Sequence, residues 1–293
     1  MPDDLLLVVI TSGVTIGERI AAFETARHGH AVDAAHVVVA TGSFGALANT
    51  VRALLDPGDE VLITELEHHS NLVPWQIVCQ QTGARLVVAP IDASGTVIPE
   101  EYERRLSKRT RLVALAHVSN ALGTVLPVAE FSRLAKRVGA TVLVDGAQAV
   151  PHLPVDVGAI GCDFYAFSGH KLYAPMGIGV LYGKAEWLAK LPPYQGGGHM
   201  IRDVTFARTE YDAPPRKYEA GTPNVEGAVG LAAALDYVER IGLAAIGAHE
   251  AALLDYATAR VAEIDGLRVI GTAREKGAIL SFVIDGLTAQ EVG

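Results

Sequence analysis

Between residues 35 and 182 the chain alternates short β-branched runs with segments of helical period, the signature of βαβ units in a parallel sheet. Strands are expected at 36–39, 60–63, 85–88, 111–115, 141–144, 163–167 and 178–181. Several of these runs are apolar at successive positions, as strands covered by helices on both faces require. Between them, Val128, Phe131, Leu134, Ala135 and Val138 recur at spacings of three and four, which puts all five on one helical face, closed by Gly139. Another helix is expected from Pro99, which suits a first turn, with Glu100 and Glu101 complementing the positive helix end. Asp56-Pro57-Gly58-Asp59 reads as a tight turn.

After 182 the pattern changes. Pro192, Pro193 and Gly196 to Gly198 indicate a long loop, and such loops are more often functional than idle. Helices are expected near 225–240 and 243–264, then strands near 267–270 and 278–284. Two strands do not make an independent domain. The 293 residues therefore divide into an atypical helical segment (1–34), a large α/β domain (35–240) and a linking helix with the start of an incomplete C-terminal α+β domain (241–293).

Half the residues are apolar, enough for a sizeable core. The longest apolar run covers only residues 5–10, far short of the ~20 that span a bilayer. Met1-Pro2-Asp3-Asp4 puts acid where a secretory leader has a basic region, so a cytoplasmic protein that does not engage a membrane is expected. The formal charge of −9 (24 basic against 33 acidic residues) argues against nucleic acid as a partner. Cys79 and Cys162 lack metal-ligand spacing, so neither a zinc site nor a disulfide scaffold is expected.

The chemistry concentrates at strand ends. In open α/β sheets ligands sit beyond the carboxyl ends of the strands. Asp145, in Val-Asp-Gly-Ala-Gln (144–148), and Lys171, in Ser-Gly-His-Lys (168–171), both fall there. A lysine and a carboxylate so presented suit pyridoxal phosphate (PLP): the amine forms a Schiff base and the carboxylate keeps the pyridine nitrogen protonated. Either residue alone is more often structural. Ser168 and His170 can donate to a phosphate, and Gly42-Ser43-Phe44-Gly45 offers backbone N–H groups at a helix start. That loop lacks the G-x-G-x-x-G spacing of a dinucleotide site. Glu67-His68-His69-Ser70-Asn71 can set an imidazole over a planar ring; a polar loop or a metal site is the alternative, with no third ligand suggested by spacing.

Five motifs in order now carry a family resemblance: Glu-His-His-Ser-Asn-Leu-Val-Pro-Trp (67–75), His-Val-Ser-Asn-Ala-Leu-Gly-Thr (117–124), Val-Asp-Gly-Ala-Gln-Ala (144–149), Cys-Asp-Phe-Tyr-Ala-Phe-Ser-Gly-His-Lys-Leu-Tyr (162–173) and Tyr-Glu-Ala-Gly-Thr-Pro-Asn (218–224). From about 56 to 293 the sequence resembles the SufS-type cysteine desulfurases, class V members of the fold-type I PLP enzymes and close relatives of selenocysteine lyases. The resemblance implies a mostly parallel sheet sandwiched by helices, and a homodimer that converts L-cysteine to L-alanine. The sulfur would be left as a protein persulfide, for an acceptor protein in iron–sulfur cluster assembly. L-selenocysteine is the alternative substrate, and another class V aminotransferase or a selenocysteine lyase is the alternative activity.

By the same resemblance Lys171 would bind PLP covalently and shuttle protons. Asp145 would pair with the pyridine nitrogen, Gln148 with the phenolic oxygen, and His68 would stack on the ring. Asn120 would sit beside the cofactor, Ser43, Ser168 and His170 would serve the phosphate, and Thr222 would reach the phosphate of a neighbouring subunit.

Three departures accompany it. The Arg-x-Gly-His-His-Cys-type loop that supplies the family's nucleophilic thiolate does not occur in these 293 residues, and Cys79 and Cys162 read as buried packing residues. No Leu-Asp-x-Ala-Ala-type opening is present. Phe44 stands where the family's phosphate loop, of Gly-Thr-Thr-Glu type, has a second donor. The chain is thus expected to be a fragment shortened at both ends, with an inactive PLP-binding fragment or partner subunit as the alternative to a working enzyme.

Overall fold

A computed structural model describes Leu7–Val8, Val38–Val39 and residues 52–293. Within them the chain opens with two short strands, β1 (Leu7–Val8) and β2 (Val38–Val39), and then alternates. β3 (Glu60–Thr64) is followed by α1 (Val73–Thr82), β4 (Arg85–Ala89) by α2 (Pro99–Arg105), β5 (Thr110–Ala116) by α3 (Val128–Arg137) and β6 (Thr141–Asp145) by the single turn α4 (Val157–Ile160). β7 (Phe164–Ser168) and β8 (Gly179–Gly183) close the series, with α5 (Ala185–Lys190) beyond. The remainder of residues 1–51, including most of the segment assigned to 1–34, lies outside the described residues.

The strands form one sheet in the order β1-β8-β7-β6-β5-β3-β4, with β2 also on β8. β3 to β7 are mutually parallel, while β8 runs antiparallel to β7 and both short strands run antiparallel to β8. The expected mostly parallel sheet is present. Its central strands β3, β5 and β6 are buried on both faces because successive side chains enter two different cores, whereas the edge strand β4 is partly exposed. Leu62, Val113, Val142, Val144 and Tyr165 join the core that receives Val128, Phe131, Leu134 and Ala135 of α3. Val61, Ile63, Leu112, Leu143 and Phe164 join the other, which receives Trp75, Val78 and Cys79 of α1. The α3 stripe is the one read from spacing, and Gly139 beyond it takes a φ of 83°, a left-handed stop that favours glycine.

A hairpin of β9 (Ile201–Val204) and β10 (Thr209–Tyr211) projects after the Pro/Gly-rich loop, and nothing in that stretch announced it. The chain then forms α6 (Val225–Ile241), α7 (Leu243–Val261), the antiparallel pair β11 (Leu267–Ile270) and β12 (Ser281–Ile284), and α8 (Ala289–Val292). The Asn224 side chain caps α6 by accepting the N–H of Gly227 at 2.9 Å. Ala228, Leu231, Leu235 and Val238 of α6 complete the first core, whereas α7 has no buried residue.

Candidate active site

Because β3, β5, β6 and β7 are parallel neighbours, the segments that leave their carboxyl ends gather at one edge of the sheet. These segments are 65–71, 117–124, 146–151 and 169–172. They hold His68, Asn120, Gln148 and Lys171, and Asp145 and Ser168 are the last residues of β6 and β7.

Asp145 is 6% exposed and pairs with Ala116 on one side and Ala166 on the other. Its Oδ1 accepts the N–H of Ala147 at 2.9 Å. Burial pushes its carboxyl above the usual carboxylate range, and that hydrogen bond and the charges of Lys171 and His68 pull it back. Three sequence-nominated residues therefore stand within electrostatic reach of one another. Lys171 is half-buried on a 3-10 turn, Gly169–Leu172, held by the Gly169 N–H to the Ile178 carbonyl at 2.8 Å. His68 is exposed, and its Nδ1 accepts the Ser70 N–H at 3.2 Å.

Other nominated residues are less firmly placed. Ser168 and Gln148 are half-buried, His170 is exposed beside Lys171, and Asn120 is half-buried at the Ser119–Thr124 turn. Thr222 is exposed on the stretch before α6, where Gly221 N–H meets the Gly198 carbonyl at 3.1 Å. Ser43 and its glycine loop lie outside the described residues.

Two residues to which the sequence reading gave no role stand at this edge. Glu67 turns its carboxylate inward, where Oε1 accepts Thr64 Oγ1–H at 2.7 Å and Ala116 N–H at 3.1 Å, and Oε2 accepts Asn71 Nδ2–H at 2.5 Å. Burial pushes its carboxyl up to about 7 against those three bonds, and nearby Asp145 adds to the rise. His117 donates its backbone N–H to the Asp145 carbonyl at 2.8 Å, and its Nδ1 lies 2.9 Å from the Tyr165 hydroxyl. Burial pushes this imidazole down to about 4, so it is neutral at pH 7. Both residues lie inside quoted motifs, but nothing local to them shows the partners, which are 48 and 49 positions away.

Both cysteines are buried, Cys162 fully so, and burial pushes its thiol up to about 12. Among the described residues no cluster of three His, Cys, Asp or Glu is placed to hold a metal, and no helix is long and apolar enough to cross a membrane.

Comparison with known proteins places this arrangement. A model of the aminotransferase class-V family matches residues 24–293. A probable cysteine desulfurase of Mycolicibacterium paratuberculosis is 58% identical over 239 residues, which cover 82% of this chain and 35% of that protein. A cysteine desulfurase of Dickeya dadantii is 51% identical over 269 residues, covering 90% of this chain and 65% of its own length. The chain thus spans little more than a third of the first relative. The crystal structure of the cysteine desulfurase CsdA from Escherichia coli matches with a TM-score of 0.88 at 35% identity, over 96% of this chain and 73% of that one.

Proposed function

The chain belongs to the aminotransferase class-V family, and from that premise we propose that it carries the PLP-holding part of a cysteine desulfurase, acting on L-cysteine. The observation that carries the reading is Asp145. One of its oxygens is tied to Ala147, the other accepts no hydrogen bond from any described residue, and Lys171 and His68 lie in electrostatic reach. An acceptor left open in a buried site, next to an amine, fits a protonated ring nitrogen and an aldehyde. Bound there, PLP would supply the electron sink that lets a substrate Cα give up its proton.

The chain's own residues then have distinct tasks. Asp145 holds the proton on the ring nitrogen, and its burial strengthens that pairing. Lys171 would hold the cofactor through its aldehyde and would serve as the base that moves the proton at the substrate Cα. His68 covers the ring face, Gln148 donates to the phenolic oxygen, and Asn120 lies alongside. Ser168 and His170, with Ser43 and a neighbouring subunit's Thr222, bind the phosphate.

A thiolate must accept the substrate sulfur, and the two buried thiols of this chain do not suit the task. The remaining parts of the reading are a homodimer, a cytoplasmic setting and a sulfur-acceptor protein serving iron–sulfur cluster assembly. They rest on the cysteine desulfurases the chain matches and on its motifs.

The test is spectroscopic. Purified protein given PLP and dialysed should keep a yellow absorption band that Lys171→Ala abolishes while far-UV circular dichroism stays unchanged. A wild-type chain that stays colourless would refute the reading.

A further inference from the structure

We propose that Glu67 is a positioning residue that acts through His68, its carboxylate fastening the 68–71 turn to the end of β5. The inference rests on the PLP site described above. One carboxylate joins three elements: Thr64, the last residue of β3; Asn71, in the turn that His68 caps; and Ala116, the last residue of β5. Asn71 is itself held, because its Oδ1 accepts Trp75 Nε1–H at 2.9 Å and both side chains are fully buried.

Ala116 supplies the second half of the argument. It pairs with Asp145 across β5 and β6, and the next residue donates its backbone N–H to the Asp145 carbonyl. Glu67 therefore reaches the backbone position that neighbours the carboxylate meant for the ring nitrogen. His68 follows Glu67 directly, and its Nδ1 and carbonyl accept the N–H groups of Ser70 and Asn71, so its backbone is restrained on both sides. In its ionised form, which predominates above about pH 7, the Glu67 carboxylate holds such donors more strongly than a neutral acceptor would. Without it, the buried donors of Thr64, Asn71 and Ala116 lose their acceptor.

The experiment compares Glu67→Ala, Glu67→Gln, His68→Ala and the double variant Glu67→Ala/His68→Ala with wild type. In the cofactor-free protein, amide hydrogen exchange at Ser70, Asn71 and Ala116 should quicken in Glu67→Ala. Glu67→Gln, which preserves folding best, keeps an oxygen for Thr64 and Ala116 but sets an NH2 group against that of Asn71. Turning the Asn71 amide over would only move the mismatch to Trp75. This variant should therefore loosen Ser70 and Asn71 while Ala116 stays protected. Unchanged exchange at Ser70 and Asn71 in both Glu67 variants would overturn the proposal, whether or not PLP binds.

With PLP added, Glu67→Ala and His68→Ala should each weaken binding about tenfold and alter the visible circular dichroism of the bound cofactor. The double variant should be no weaker than the worse single variant, as residues acting through one another require. Losses that multiply to about a hundredfold would show Glu67 acting independently of His68 and overturn the proposal. If wild type binds no PLP, the PLP reading fails, and the exchange result still decides what Glu67 holds.

Discussion

The imidazole of His117 and the phenol of Tyr165 meet edge to face in the interior, Nδ1 to hydroxyl at 2.9 Å, directly behind the backbone that follows Asp145. The hydroxyl is a hydrogen-bond partner for a buried, neutral imidazole. Tyr165→Phe keeps the ring and removes that partner, leaving a polar nitrogen in a site only 9% exposed. The expected cost is about 1–3 kcal/mol. Urea unfolding should show a lower midpoint at unchanged slope, and a wild-type midpoint would show that the pair contributes nothing.

The same ring dictates the residue at 146. A Cβ there would stand 2.0 Å from Cε1 of Tyr165 and 2.3 Å from its hydroxyl oxygen. With Tyr165 only 2% exposed and held by His117, the ring has no room to withdraw. Gly146→Ala should cost about 3 kcal/mol or more and displace Asp145 with it. A lowered melting temperature and weaker PLP binding are the paired readouts, and a fully stable variant would contradict the packing.

Glu67 and His117 make opposite demands on pH. The folded Glu67 carboxyl is raised from 4.5 to about 7, so between those values only the folded state holds its proton, and stability falls as pH rises. The folded His117 is lowered from 6.5 to about 4, so between those values only the unfolded state holds its proton, and stability falls as pH drops. From pH 4.5 to 6.5 the two oppose each other. Removing one should expose the other: Glu67→Gln should lose stability steadily from pH 6.5 toward 4. Relative to wild type its stability should change by roughly 3 kcal/mol between pH 4.5 and 7. Parallel pH curves for the two proteins would rule out a raised Glu67.

The thiols supply the last prediction. Cys79 packs in the core shared with α1 and Cys162 in the opposite core, and burial raises both above the usual thiol range. Neither should react with a disulfide reagent in the folded chain, and both should react in urea. With PLP and L-cysteine added, no persulfide should form on this chain. Mass-spectrometric detection of one at Cys79 or Cys162 would overturn their reading as packing residues.

The order of strands and helices from 60 to 183 was legible in the sequence, because hydrogen-bond geometry and apolar period are local properties. The α3 stripe, the turn at 56–59 and the Pro99 helix start all occur where spacing and turn chemistry put them. Asp145 and Lys171 could be nominated for the same reason, since a strand's carboxyl end can be read from the strand. The β9–β10 hairpin could not, because strands largely exposed to solvent carry little apolar pattern.

By itself, then, the sequence determined the alternating elements, the motifs at their ends and the family to which they point. The tertiary structure alone decided that β5 lies between β3 and β6, and with it that the Glu67 carboxylate meets the backbone of Ala116 and that His117 faces Tyr165. Strand order is set by the burial of two whole cores rather than by any one segment. A carboxyl near 7 and an imidazole near 4 arise only once that order removes them from water.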